Sequence, residues 1–142
     1  MKQPVMKNIF YFLISFSLLL CSCNSDEDKS SKEEETQNLT TTYDEIITMS
    51  MVNTTPCTNS QEWAFTPIGS KACGGPVLFI PYSLKINVSE FLKKVDKYTT
   101  AQNEFNKKWG IISTCDVPLS PSSVDCVDGK PTFIYSDHFQ KE

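Results

Sequence analysis

Residues 87–110 read NVSEFLKKVDKYTTAQNEFNKKWG and carry the strongest fold signal in the chain. Asn87 is a good helix N-cap, and Glu90 three residues later completes a capping-box pattern. The apolar and aromatic residues that follow recur at steps of three and four, which is typical of one buried helix face. They are Val88, Phe91, Leu92, Val95, Tyr98, Phe105 and Trp109. Gln102 interrupts this face, and Gly110 stands where a helix would end.

Strand signals lie on both sides of the amphipathic helix that this pattern predicts at residues 87–109. Residues 77–83 are rich in β-branched and aromatic side chains, although Pro81 favours an edge strand or a strand end. Residues 123–127 and 131–135 are separated by Asp-Gly-Lys, which is a strong hairpin signal. These segments predict short antiparallel strands.

Two further segments carry weaker signals. Residues 46–52 fit either a strand or a short helix, and residues 62–66 fit a short strand. The sum predicts an α+β fold in which a small antiparallel sheet packs against one main helix. We expect residues 43–142 to form a single monomeric domain of this kind.

The N-terminus has the layout of a secretory signal peptide. Lys2 and Lys7 flank an apolar run at residues 9–20, which is broken only by two serines. A transmembrane helix needs about 20 apolar residues, so this run is too short to span a bilayer. We therefore assign residues 1–22 to a signal peptide.

The end of this segment, Leu20-Cys21-Ser22-Cys23, resembles a bacterial lipobox. A small serine before the cut favours Cys23 over Cys21 as the acylated residue. The resemblance implies a diacylglycerol on Cys23, which would hold the protein on a membrane without a spanning helix. The alternative is an ordinary signal peptide in which Cys23 is a structural cysteine.

Acidic residues follow this cysteine directly. A serine and acids at residues 24–28 resemble the surface-export signal of Bacteroidota-type outer-membrane lipoproteins, which implies a location on the cell surface. The alternative interpretation is a solvated spacer. Residues 24–42 hold six acids against two lysines, with Leu39 as almost their only apolar residue. Such a composition favours disorder, so residues 23–42 are predicted to be a lipidated, disordered tether.

Four cysteines remain in the predicted domain, namely Cys57, Cys73, Cys115 and Cys126. In an exported domain an even number favours disulfides, here two bonds with three alternative connectivities. We favour the sequence-local pairing, Cys57 with Cys73 and Cys115 with Cys126. A zinc site is not expected, because neither a CxxC spacing nor a paired histidine is present. No other cofactor is implied.

Charge argues against one class of partner. All 13 basic residues are lysine, and the net charge is −4. Arginine forks, which bind phosphate with two parallel hydrogen bonds, are absent from the sequence. Nucleic acid is therefore not an expected partner.

The stretch TPIGSKACGGP at residues 66–76 is the best candidate for a ligand loop, through Gly69, Ser70, Lys71, Gly74 and Gly75. Its glycines permit positive φ, so exposed backbone amides could bind an anion with help from Lys71. A second interpretation is an inhibitor loop that offers Lys71 to a hydrolase. The third is a disulfide-anchored turn without a ligand.

Catalytic residues are not evident. His138 is the single histidine and follows Asp137, but no G-x-S-x-G elbow supplies a matching serine. Carboxylates for a hydrolase could come from Glu62, Asp116, Asp125 or Asp128, which the sequence cannot pair. We therefore expect a protein that is not an enzyme.

Residues across the predicted domain resemble small secreted bacterial domains, a resemblance that implies no activity. The matching positions are Trp63, Gly69 to Pro76, Tyr82, Ser83, Phe91, Tyr98, Thr99, Asn103, Asn106, Cys115, Asp116, Pro118 and Cys126. The favoured function is a non-catalytic binding module on the cell surface, with an extracellular protein or glycan as its partner. The alternatives are an inhibitor of an extracellular hydrolase acting through the Cys73 loop, and a small hydrolase.

Overall fold

The computed structural model describes residues 25–136, with side chains from residue 29 onward. The predicted signal peptide, the predicted acylation site Cys23 and the Asp137–His138 pair lie outside these residues. The chain divides into two units, Met1–Glu33 and Glu34–Glu142. In the first unit residues 25–33 are helical, and the second unit contains the sheets and the core.

The described residues form an α+β fold, as the sequence predicts. In chain order the elements are α1 (Ser25–Ser50), a 3₁₀ turn (Ser60–Glu62), β1 (Trp63–Ile68), β2 (Leu78–Ser83), α2 (Val88–Lys108), β3 (Ser123–Val127) and β4 (Lys130–Ile134). The strands form two separate antiparallel hairpins, β1–β2 and β3–β4, rather than one sheet. Neither described helix has the length and apolar character needed to cross a membrane.

Helix α2 confirms the predicted capping box. Asn87 Oδ1 accepts a hydrogen bond from the backbone N–H of Glu90 at 3.2 Å, which satisfies one of the unpaired donors of the first turn. Gly110 adopts a left-handed φ of 57° just beyond the helix, as expected for a residue that ends one. The apolar face buries Phe91, Val95 and Tyr98.

Both hairpins also match the sequence pattern. Asp128 and Gly129 have φ values of 51° and 74°, so both central turn residues are left-handed, as the tight turns of two-residue hairpins require. The strand predicted at residues 62–66 is β1, which extends to Ile68. Pro81 lies opposite Phe65 in a sheet of only two strands, where a proline costs no central ladder hydrogen bond.

The expected disorder of residues 23–42 is wrong for its described part. Residues 25–42 belong to helix α1, which also settles residues 46–50 as helical. Leu39, Tyr43, Ile46 and Ile47 follow one another at helical spacing and pack against the core, and Ile46 is fully buried. The acidic composition conceals this stripe, and burial of its apolar side chains supplies the free energy that orders the segment.

The core consists of two clusters. The larger one joins α1, both strands of the first hairpin and α2, and contains Ile46, Ile68, Ile80, Tyr82, Phe91, Val95 and Tyr98. The smaller one gathers Cys57, Trp63 and Val124 between the two hairpins. Phe65 packs against this smaller cluster and stacks edge-on against Phe133 of β4.

The disulfide pairing differs from the expectation. Cys57 bonds to Cys126, with 5.2 Å between their Cα atoms, while Cys73 and Cys115 are free. Cys57 precedes β1 and Cys73 follows it, so six strand residues, about 20 Å of chain, hold them apart. The N–H of Cys57 instead donates to the carbonyl of Gly129 at 2.8 Å, which places Cys57 beside the β3–β4 hairpin and therefore beside Cys126.

Candidate functional site

The glycine-rich loop at residues 69–76 is held on α2 by polar side chains. The N–H of Gly69 donates to Thr99 Oγ1 at 3.0 Å, and the N–H of Ser70 donates to Gln102 Oε1 at 2.8 Å. Asn106 Nδ2 donates to the carbonyl of Ser70 at 2.7 Å. Thr99, Gln102 and Asn106 are spaced by three and four residues, so they form a polar stripe on one face of the helix. This contact explains why Gln102 interrupts the apolar pattern.

Gly69 is required at the start of this loop. Its φ is 78°, and a Cβ there would lie 2.6 Å from Gln102 Oε1 and 2.9 Å from Val77 Cγ2. Gly74 has a φ of 98°, but nothing lies within 4 Å of its Cβ position. The two glycines therefore share the left-handed conformation and differ in packing.

We expect Gly69→Ala to lower the free energy of unfolding by about 2–3 kcal/mol, because it adds overpacking to the left-handed strain. Gly74→Ala is the matched control and should cost only the strain, about 1 kcal/mol. Urea denaturation of both variants measures the difference. Equal losses would contradict the packing role of Gly69.

Most backbone amides of this loop are hydrogen-bonded within the fold, which argues against the anion nest, one of the three interpretations of the sequence. The N–H groups of Gly69 and Ser70 bond to α2. The N–H of Lys71 donates to the Gly75 carbonyl at 3.0 Å, and that of Gly74 donates to the Lys71 carbonyl at 3.0 Å. The N–H of Ala72 donates to Ser113 Oγ at 3.0 Å. These donors are used within the fold and are not available to a ligand.

Lys71 is likewise engaged rather than presented. Its side chain is 13% exposed, and its Nζ lies 3.0 Å from Asp116 Oδ2. It also donates to the backbone carbonyl of Asp116. An inhibitor loop built on Lys71 would need this side chain to extend into a partner, so the structure does not favour that interpretation.

The pKa of Asp116 is lowered from 3.8 by a hydrogen bond from Thr114 and by the hydrogen bond and charge of Lys71. A carboxyl whose pKa is depressed on folding stabilises the fold above its unfolded pKa, and that stability is lost as the pH falls through its folded pKa. Asp116→Asn should therefore be slightly less stable than the parent at pH 7, and the difference should vanish as the pH falls through the depressed pKa of Asp116. Chemical denaturation across this pH range measures the difference. In a Lys71→Met background the difference at pH 7 should shrink, and an undiminished difference would contradict the contribution assigned to Lys71.

Cys73 and Cys115 meet at the junction of this loop with residues 110–122. Cys73 Sγ donates to the Thr114 carbonyl at 3.4 Å and contacts Ser113 Oγ at 3.7 Å. Hydrogen bonds with Cys115 and Ser113, and the charge of Lys71, lower the pKa of Cys73. The hydrogen bond with Cys73 and desolvation raise the pKa of Cys115. The two thiols are therefore unequal in acidity.

A groove between α1 and α2 has a volume of about 630 Å³. Leu39, Tyr98, Ala101 and Phe105 provide apolar surface, while Asn38, Thr42, Lys97 and Glu104 are among the polar lining residues. Burial raises the pKa of Tyr98, with a smaller contribution from Tyr43. The Tyr98 hydroxyl is therefore neutral at physiological pH and able to donate a hydrogen bond.

Ion pairs bridge the two walls of this groove. Lys94 pairs with Glu45, and Lys108 pairs with Glu35. The end of α2, at Lys108, meets the earlier part of α1, at Glu35, so the two helices run antiparallel. Glu35 also accepts a hydrogen bond from Trp109 Nε1 at 3.0 Å. The groove is therefore bounded by charge pairs and floored by apolar side chains.

The carboxylates considered for catalysis are engaged separately. Glu62 pairs with Lys85, whereas Asp116 pairs with Lys71. Asp125 Oδ1 accepts from the N–H of Cys126 in β3. Within residues 25–136 no cluster of three or more histidine, cysteine or carboxylate side chains could hold a metal ion.

No protein-family model matches the chain, and no curated protein or solved structure is significantly similar to it. Sequence reasoning missed both the polar stripe and the groove. The stripe was detectable, because Thr99, Gln102 and Asn106 share a helical face. The groove was not, since one of its walls was assigned to a disordered tether.

Proposed function

We propose that this chain is a lipid-anchored lipoprotein of the cell surface whose folded domain is a non-catalytic binding module. The observation that carries the binding role is the groove between α1 and α2. Its volume of about 630 Å³ lies within the roughly 300–1,000 Å³ typical of ligand sites, which combine apolar walls with a few polar groups.

The lining favours a short glycan segment as the ligand. Phe105, which is half-buried, offers aromatic surface to the apolar face of a sugar ring, as rings commonly do in binding sites. Asn38, Thr42 and the Tyr98 hydroxyl can exchange hydrogen bonds with sugar hydroxyls. An extracellular protein segment is the alternative ligand.

Glycan and peptide arrays probed with the mature chain, residues 23–142, test the binding role. Ala101→Phe should fill the groove and weaken the strongest array interaction at least 10-fold, on the order of 1.4 kcal/mol. Thr100→Phe is the matched control, because Thr100 is the exposed neighbour on α2 and does not line the groove. If both variants retain binding, the ligand binds outside the groove. If the chain binds only peptides on the arrays, the ligand is a protein segment rather than a glycan.

The lipid anchor is tested separately. Cys23→Ala should move the protein from the membrane fraction to the soluble fraction, because the acyl chains provide the attachment. Cys21→Ala, two residues away, should leave it anchored. Protease treatment of intact cells tests surface exposure, and protection from protease would argue against export to the outer face.

An inhibitor of an extracellular hydrolase is the second candidate, favoured by one observation. Residues 111–122 have no regular secondary structure and expose Ile112, Val117 and Leu119 by 94%, 77% and 58%. Contacts with the Cys73 loop hold this segment, as a rigid inhibitory loop would require. Inhibition assays with proteases and lysozyme test this role, and Ile112→Asp should abolish any inhibition found.

A further inference from the structure

Two exposed cysteines are brought together by contacts on both sides of Cys115. Cys73 donates to the carbonyl of Thr114, the residue before Cys115. Lys71, two residues before Cys73, pairs with Asp116, the residue after Cys115. The two chain segments are thus held in register around the pair of sulfurs.

The two pairs of cysteines differ in their access to solvent. Cys57 is 3% exposed and packs with Trp63 and Val124, and its sulfur is bonded to Cys126. Cys73 and Cys115 are both exposed and carry free thiols. An external reagent can therefore reach the second pair more readily than the first, in which Cys57 is buried and Cys126 is half-buried.

We propose that Cys73 and Cys115 form a reversible, solvent-accessible disulfide by exchange with an external disulfide, independently of the Cys57–Cys126 bond. The Cys73 thiolate attacks one sulfur of the external disulfide, forms a mixed disulfide and releases one thiolate. The Cys115 thiolate then attacks Cys73 Sγ, closes the internal bond and releases the second thiolate. The external disulfide gains two electrons, and the two cysteine thiols lose two protons and two electrons.

The order of attack follows from the environment of the two sulfurs. The hydrogen bond with Cys115, the Ser113 hydroxyl 3.7 Å from Cys73 Sγ and the charge of Lys71 favour the thiolate of Cys73. The hydrogen bond with Cys73, desolvation and the charge of Asp116 oppose the thiolate of Cys115 and outweigh the favourable charge of Lys71. Exchange requires the thiolate, so Cys73 is the initial nucleophile near neutral pH and Cys115 is the resolving thiol. This proposal is independent of the groove and of its ligand.

Closing the bond would fasten the glycine-rich loop to residues 110–122. That segment exposes Ile112 and Val117 to solvent. A disulfide between two cysteines 42 positions apart in the sequence excludes conformations that the reduced chain can adopt. The oxidised protein should show slower limited proteolysis within residues 110–122 than the reduced protein, by at least about 5-fold.

The experiment equilibrates the mature chain with defined mixtures of reduced and oxidised glutathione, followed by alkylation and peptide mass mapping. We expect a peptide pair linked through Cys73 and Cys115, which opens in mixtures where Cys57–Cys126 stays closed. Links from either residue to Cys57 or Cys126 would overturn the pairing. Opening of both bonds in the same mixture would overturn the independence, and persistent glutathione adducts on both cysteines would overturn internal closure.

Two single variants test the order of attack. Cys115→Ser should accumulate glutathione on Cys73, because the resolving thiol is missing. Cys73→Ser should acquire glutathione on Cys115 at pH 7.5 about 5–10-fold more slowly than Cys115→Ser acquires it on Cys73. Equal rates would overturn the assigned order. Circular dichroism of both variants serves as the folding control, and each should match the parent because both side chains are exposed.

Discussion

Phe91→Ala is expected to lower the free energy of unfolding by about 3–5 kcal/mol. Phe91 is fully buried in the larger core cluster, and its ring centre lies 4.8 Å from that of Tyr82 on β2. Removing the ring loses buried apolar area and leaves a cavity that the surrounding helix and strands cannot fill completely. Because domains of this size are stable by only about 5–15 kcal/mol, the variant should be near the limit of folding.

The control for this substitution is the next residue of the same helix. Leu92 is 37% exposed, so Leu92→Ala should cost about 1 kcal/mol or less. Alanine gains more helix propensity over phenylalanine than over leucine, by a few tenths of a kcal/mol, approximately. This works against the expected larger loss for Phe91→Ala, so that loss reports burial. Chemical denaturation at constant pH measures both. Similar losses for the two variants would contradict the assignment of Phe91 to the centre of the core.

Removal of the Cys57–Cys126 bond is the second large effect. The paired change Cys57→Ser with Cys126→Ser should cost about 2–5 kcal/mol. The bond spans 69 positions in the sequence, so it restricts the unfolded chain strongly, and a buried serine at residue 57 adds a desolvation cost. The loss should appear as a lower thermal unfolding midpoint.

The matched control removes the other two sulfurs. Cys73→Ser with Cys115→Ser alters two exposed side chains, so under reducing conditions that keep Cys57–Cys126 intact it should change stability by no more than about 0.5 kcal/mol. If this control is destabilised as much as the Cys57 and Cys126 variant, the Cys57–Cys126 bond is not the dominant crosslink.

Local signals predicted much of the fold. The capping box at Asn87 and the glycine at residue 110 act through backbone groups only a few residues away, and both appear as expected. The Asp128-Gly129 turn is local in the same sense, since these residue types tolerate left-handed φ. The sequence could therefore predict α2 and the second hairpin.

Helix α1 and the disulfide pairing depended on distant partners. Leu39 is one apolar residue in an acidic tract, and it becomes a core contact only because α2 and the first hairpin lie beside it. Glu35 of α1 similarly pairs with Lys108 of α2, which lies 73 positions later in the sequence. Composition averaged over the tract could not reveal either contact.

The same distinction between local signals and distant contacts applies to the candidate sites. The glycines of residues 69–76 indicated an unusual backbone, and the positive φ values of Gly69, Gly74 and Gly75 agree with that. The chemical use of the loop was not predictable, because its amides are occupied by side chains about 30 or more positions away, those of Thr99, Gln102 and Ser113.

The sequence by itself determined the α+β class, the limits of the central helix and the tight turn of the C-terminal hairpin, because each follows from preferences of neighbouring residues. Only the tertiary structure decided which cysteines meet, that the acidic tract continues as a helix, and that a groove opens between two helices. These features depend on side chains brought together from distant positions, and their free energy comes from burial that no single segment can achieve alone.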